Sequence, residues 1–252
     1  MRALEWVVLL YAATFGLVAL IGPRASRAAT AAALAALTIA SALLVPHLPE
    51  AIGLIVPGLY LVAGYWLPAL VVPKHALART SRFERWLAET DTRLRPRLPS
   101  MPRSLVALAE AAYLFCYPVV PLSLAIVWWY GGADAVPRFW LTVLVAGFAC
   151  YGSLPWLLSR PPDRSGLRTL RLRTLNRSVL ATVSHQWTTF PSGHVAVSWA
   201  AALAVARVSV GGGALLSLVA LGVATGAAAG RYHYVVDVLL GLIVALAAVM
   251  VT

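Results

Sequence analysis

Apolar and polar positions in this chain alternate on the scale of whole helices. Continuous apolar runs of about 20 residues, the length that crosses roughly 30 Å of hydrocarbon, recur from one end to the other. They predict spanning helices near 4–21, 29–45, 51–72, 104–129, 138–158, 193–209, 213–230 and 233–251, the second and sixth being short. A β-barrel would instead need ten-residue segments of alternating polarity. The expected fold is therefore all-α, a polytopic transmembrane helical bundle of about eight spans. In 252 residues that leaves no room for a separate soluble domain. Arg2 precedes the first run as in a signal peptide, but no A-x-A-like cleavage site follows Leu20, so a retained helix is expected.

Two polar stretches interrupt the pattern. In residues 73–103, Phe83, Trp86, Leu87 and Leu94 recur at roughly helical spacing among Arg82, Arg85 and Arg93, which predicts an amphipathic helix at about 80–95 lying in the membrane interface. Pro96, Pro99 and Pro102 end it. The second stretch runs from Arg160 to Phe190 and leads into the motifs described below. The chain divides accordingly into residues 1–130, a scaffold of N-terminal spans plus the interfacial segment, and residues 131–252, a catalytic core built from the last four helices.

Composition supports the membrane reading: 61% of residues are hydrophobic and 12% charged, with a mean hydropathy of +0.82. The net charge is +11, and all but one of the 20 basic residues are arginine. Basic loops beside anionic lipid headgroups explain this better than nucleic-acid binding does. Counted over the eight spans, 17 basic residues fall on one face and only Arg2, Arg138 and Arg207 on the other. The positive-inside rule then puts the basic face in the cytoplasm. Cys116 and Cys150 both lie in apolar runs and read as packing residues.

The candidate chemistry lies on the basic face. Pro191-Ser192-Gly193-His194 opens the sixth run, where the Ser192 and Gly193 N–H groups would be among the donors of a helix start, able to hold phosphate oxygens, with His194 in reach to donate a proton. His233 and Asp237 are i,i+4 neighbours at the start of the last run, so the carboxylate would orient the imidazole and free its other nitrogen to attack. A serine-glycine helix start and a packed His–Asp pair are the bland alternatives. Glu110, a carboxylate inside a run, is a possible pocket residue or a packed one. His185 could line the loop before the site, His47 and His75 read as interfacial, and Trp128, Trp129 and Tyr130 as an aromatic belt.

These residues resemble the type-2 phosphatidic acid phosphatase family, marked by K-x6-R-P, P-S-G-H and S-R-x5-H-x3-D. P-S-G-H and H-x3-D are intact, and Arg160-Pro161 stands upstream in order; the likeness covers about residues 140–245. The resemblance implies a metal-independent, cofactor-free lipid phosphatase of an integral membrane, expected to be a bacterial plasma membrane. His233 would form a phosphohistidine, Asp237 would orient it and His194 would protonate the leaving group. Arg160, Ser192, Gly193 and Arg231 would hold the phosphoryl oxygens. The substrate would be a polyprenyl phosphate or pyrophosphate, phosphatidate or phosphatidylglycerol phosphate. Family members usually work on the extracytoplasmic side, opposite to the charge count.

Two positions depart from the family pattern. Ser153 stands where the first-motif lysine belongs, with Arg164 or Arg168 as possible replacements, and Gly226-Ala227 stands where the third motif has serine-arginine, with Arg231 one helical turn on. A headgroup phosphotransferase using the same site remains an alternative, as does a transporter or silent scaffold.

Overall fold

A computed structural model describes residues 3–21, 27–72, 81–97, 101–165, 167 and 170–252. Arg2, Arg24, Lys74, His75, Arg79, Pro99 and Arg168 lie outside them. Among the described residues there are ten α-helices and no strand: α1 (Ala3–Ile21), α2 (Ala28–Leu44), α3 (Glu50–Leu70), α4 (Arg82–Leu94), α5 (Arg103–Leu114), α6 (Val119–Tyr151), α7 (Arg171–Val183), α8 (Gly193–Ala206), α9 (Val210–Ala229) and α10 (Val235–Val251). An isolated antiparallel bridge joins Ser159 to Thr188. The protein is a multi-pass helical bundle in which, among the described residues, five helical segments are long and apolar enough to cross a membrane: α1, α2 with its short extension to His47, α3, α6 and α9.

The predicted run 104–129 is not one helix. It breaks into α5 and the start of α6, because the amides of Phe115, Cys116 and Tyr117 each bond a carbonyl only three residues back, and Pro118 follows with no amide to give. Conversely, α6 carries two predicted runs. A straight helix of 33 residues would be about 50 Å long, yet Tyr117 and Tyr151 line the same cleft. The chain turns back at Gly132, whose φ of 67° and ψ of −171° leave the helical region. Glycine adopts that conformation without the steric penalty other residues carry.

At the centre is α8, packed between α6, α9 and α10. Its buried Ala196, Ala200, Ala201 and Ala204 let neighbouring backbones approach closely. A large core of Val127, Phe139, Trp140, Leu144, Val205 and Leu216 fills the space between α6, α8 and α9. At one end of the bundle Arg138 bonds the Thr252 carbonyl (2.8 Å) and Arg207 bonds that of Val249. Arg95, Arg164 and Arg231 gather at the other, around the turn that carries His233.

Candidate active site

The turn from α9 into α10 places His233. Gly230 ends α9, Arg231 follows in the left-handed region with φ of 52°, the Arg231 amide bonds the Ala228 carbonyl (3.2 Å), and the Tyr232 amide bonds that of Ala227 (3.0 Å). This pair of bonds is the Schellman ending of a helix, with arginine in the position that usually holds glycine. The His233 amide also reaches the Ala227 carbonyl, at 3.1 Å. These backbone bonds place His233 at the mouth of α10.

His233 Nδ1 lies 3.4 Å from Asp237 Oδ2, and its Nε2 lies 3.4 Å from His194 Nδ1. A carboxylate only accepts, so Asp237 makes Nδ1 the donor and leaves the lone pair on Nε2, facing His194. The same Oδ2 takes the Tyr234 amide at 3.2 Å. Asp237 is fully buried, and its Oδ1 has no hydrogen-bond partner among the described residues. The buried carboxylate is thus held by the Tyr234 amide and by His233 Nδ1, both on the same oxygen.

The two motifs are tied directly together. The Ser192 amide donates to the Asp237 carbonyl (3.1 Å), the Gly193 amide to Thr189 Oγ1 (3.0 Å), and the Val195 amide to Ser192 Oγ (3.5 Å). The N–H groups of Ser192 and Gly193, read from sequence as an open phosphate cradle, are therefore engaged inside the protein. The Ser192 bond ties the start of α8 to α10, beside the approach of His194 to His233, and the Gly193 bond closes the turn that leads into α8.

A cavity of about 70 Å³ opens over the two histidines, lined by Tyr65, Tyr113, Arg164, Arg177, Thr189, His194, Tyr232 and His233 among others. Residues before 131 thus share its walls, so the site is not the product of the last four spans alone. Arg164 is fixed by a 3.0 Å bond from Nε to the Arg231 carbonyl and by lying 4.8 Å from the centre of the Tyr232 ring. The other two candidate arginines point elsewhere. Arg231 Nη1 donates to the Asp163 carbonyl at 2.7 Å, and Arg160 Nε sits 3.9 Å from Glu84 Oε1; neither lines the cavity.

Glu110 is wholly buried but does not line the cavity either. It receives Arg173 Nε (2.6 Å), Asn176 Nδ2 (2.8 Å) and the Tyr232 hydroxyl (2.6 Å). This network pins α7 to α5 and holds Tyr232, which stacks on Tyr113 with centroids 4.2 Å apart. Ser153 Oγ binds the carbonyls of Cys150 (2.8 Å) and Phe190, a structural tie at the first-motif lysine position. The Gly226-Ala227 pair, which stands where the third motif has serine-arginine, is tightly packed. Ala227 is fully buried, and a Cβ on Gly226 would stand 2.2 Å from the Ala109 carbonyl oxygen.

His185 stacks on Tyr65 at 4.3 Å, and burial, then the nearby His194, lowers its pKa to about 4. Arg177 also lines the cavity, a position that no motif in the sequence marks. It lies i,i+4 from the buried Arg173 on α7, an amphipathic helix that also carries Leu172, Leu175, Val179 and Leu180.

Next to the small cavity lies an apolar groove of about 580 Å³ between α3 and α6, sharing Tyr65, Ser184, Thr189 and His194 with it. Ile55 and Val62 line this groove and are 68% and 56% exposed, so it opens onto the outer apolar surface of the bundle. No family model, curated protein or solved structure matches the chain.

Proposed function

We propose that this protein is a membrane-embedded phosphatase that removes phosphate from a lipid through a phosphohistidine. One observation carries the reading: the Asp237–His233–His194 relay opens on a small cationic cavity continuous with a large apolar groove. An amphiphile with a phosphate head and a hydrocarbon tail fits that pair of compartments.

In the proposed reaction the substrate phosphate enters between the two histidines and separates them. His233 Nε2 attacks phosphorus, the bond to the leaving oxygen breaks, and protonated His194 gives that oxygen its Nδ1 proton. The incoming phosphate favours the protonated form of His194 by its charge. Neutral His194 then takes a proton from water, the hydroxide attacks phosphorus, and the N–P bond breaks to release phosphate and restore His233. Arg164 and Arg177 balance the charge on the phosphoryl oxygens, the role expected from sequence for Arg160 and Arg231.

The reading includes eight membrane crossings. The two arms of α6 count separately, and α5 joins the first arm as one broken crossing. α8 and α10, at 14 and 17 residues, cover about 21 and 26 Å, so the bilayer thins or polar flanks snorkel around the site. The basic end, with the site, faces the cytoplasm.

The test is phosphate release by purified protein from micelles of polyprenyl phosphate, polyprenyl pyrophosphate and phosphatidate. Release from at least one, with an acid-labile phosphoenzyme, both lost in His233→Ala, is the expected result. Wild-type protein inert on all three, or His233→Ala as active as wild type, overturns the reading.

A further inference from the structure

Helix α4 does more than lie at the bundle surface. Ser81 caps it by accepting the Glu84 amide (2.9 Å) and donates to the Leu158 carbonyl (3.2 Å). Leu87 is fully buried, and Phe83 and Trp86 pack on Phe190, the residue just before P-S-G-H. On the same helix Asp91, 8% exposed, accepts the Val235 amide at 2.9 Å through Oδ1. Val235 is the first residue of α10. Arg95 grips Asp91 with Nε at 2.7 Å and Nη2 at 3.1 Å, and its Nη1 donates to the Ala228 carbonyl at 2.8 Å.

The pair therefore holds both ends of one turn, the Ala228 carbonyl near the end of α9 and the first amide of α10. Between those grips sit Gly230, Arg231, Tyr232, His233 and Tyr234. The contacts suit the chemistry of helix ends, since a carboxylate is favoured at the N-terminus of α10 and a guanidinium at the C-terminus of α9. Neither side chain lines the cavity.

We propose that Asp91 and Arg95 are positioning residues: a clasp from α4 that holds the His233 turn at the spacing from His194 that phosphoryl transfer needs. This rests on the phosphohistidine reading for its effect on rate, but the clasp itself is testable without it. Displacing a reacting nitrogen by about 1 Å is enough to lower turnover by about a hundredfold.

The experiment uses the full chain in lipid micelles, with Asp91→Ala and Arg95→Lys, the second keeping charge while losing the planar fork. Two quantities are read. Amide exchange over residues 228–237 is expected to rise in both variants while that of α1 stays unchanged. With a lipid phosphate turned over by the wild type, kcat is expected to fall about ten- to a hundredfold with KM within about twofold, Arg95→Lys being the milder. A raised KM at unchanged kcat, or unchanged exchange over 228–237, overturns the proposal. Should the wild type release no phosphate, the phosphatase reading fails while exchange alone decides the clasp. Should Asp91→Ala not fold, Arg95→Lys decides on the same two quantities.

Discussion

Arg231→Gly separates two physical roles of one residue. In the structure Arg231 occupies the left-handed region at φ 52° and its guanidinium bonds the Asp163 carbonyl at 2.7 Å, outside the cavity. Left-handed backbone costs an L-residue about 1–2 kcal/mol, which glycine avoids. Glycine's larger freedom in the unfolded chain takes back about 0.5–1 kcal/mol of that. Losing the exposed bond to Asp163 costs at most about 1 kcal/mol. Arg231→Gly should therefore stand within about 1 kcal/mol of wild type. Arg231→Ala, which loses the same bond and keeps the strain, should fall below the glycine variant by about 0.5–1 kcal/mol. In a chain of this size that gap is about 2–4 °C in unfolding midpoint per kcal/mol. Turnover of a lipid phosphate should stay within about threefold in both, because loss of a group that stabilises the transition state costs about a hundredfold or more. Paired thermal unfolding in detergent and phosphate release read both quantities. Alanine as stable as glycine would refute the left-handed turn, and a hundredfold loss in turnover would return the guanidinium to the phosphate.

Other perturbations are sharper. Glu110→Ala removes the shared acceptor of Arg173, Asn176 and Tyr232 and should destabilise the protein by about 3–5 kcal/mol, read as a lower unfolding midpoint. The pair Glu110→Leu with Arg173→Met should recover part of that, because both charges leave the interior together; a double variant no better than the single sinks this account. His185, lowered in the folded state to about 4 from an ordinary 6.5 by burial, binds its proton more readily when unfolded. Its neutral form therefore supports the fold fully above pH 6.5, and that support is lost as pH falls toward 4. His185→Phe should flatten the stability profile in that window, and an unchanged slope would exclude His185 as its source.

The helices were legible because their signal is local. Apolar runs bounded by arginine and proline placed α1, α2, α3, α8, α9 and α10 to within a few residues, and the apolar spacing of Phe83, Trp86, Leu87 and Leu94 placed α4. Contacts between distant segments carried no such signal. Nothing near Asp91 marks it as the cap of a helix 144 residues further on. The approach of His194 and His233 could be inferred only from their motifs. The arginines were hardest, since spacing from a motif says where a side chain begins and not which way it reaches. Arg231 follows the helix end into a left-handed residue and is carried toward the 163–165 loop, while Arg164 arrives from that loop in its place.

If the protein acts on a lipid phosphate as proposed, the apolar groove, open to the outside of the bundle through Ile55 and Val62, also sets what concentration means for it. A substrate that enters there arrives by diffusion in the plane of the membrane and never leaves the lipid phase. Its rate should follow the mole fraction of phosphate-bearing lipid among its neighbours, whatever the total amount per litre. Inert detergent added at constant substrate should then slow turnover by dilution within the surface, and a water-soluble short-chain ester should escape that dependence.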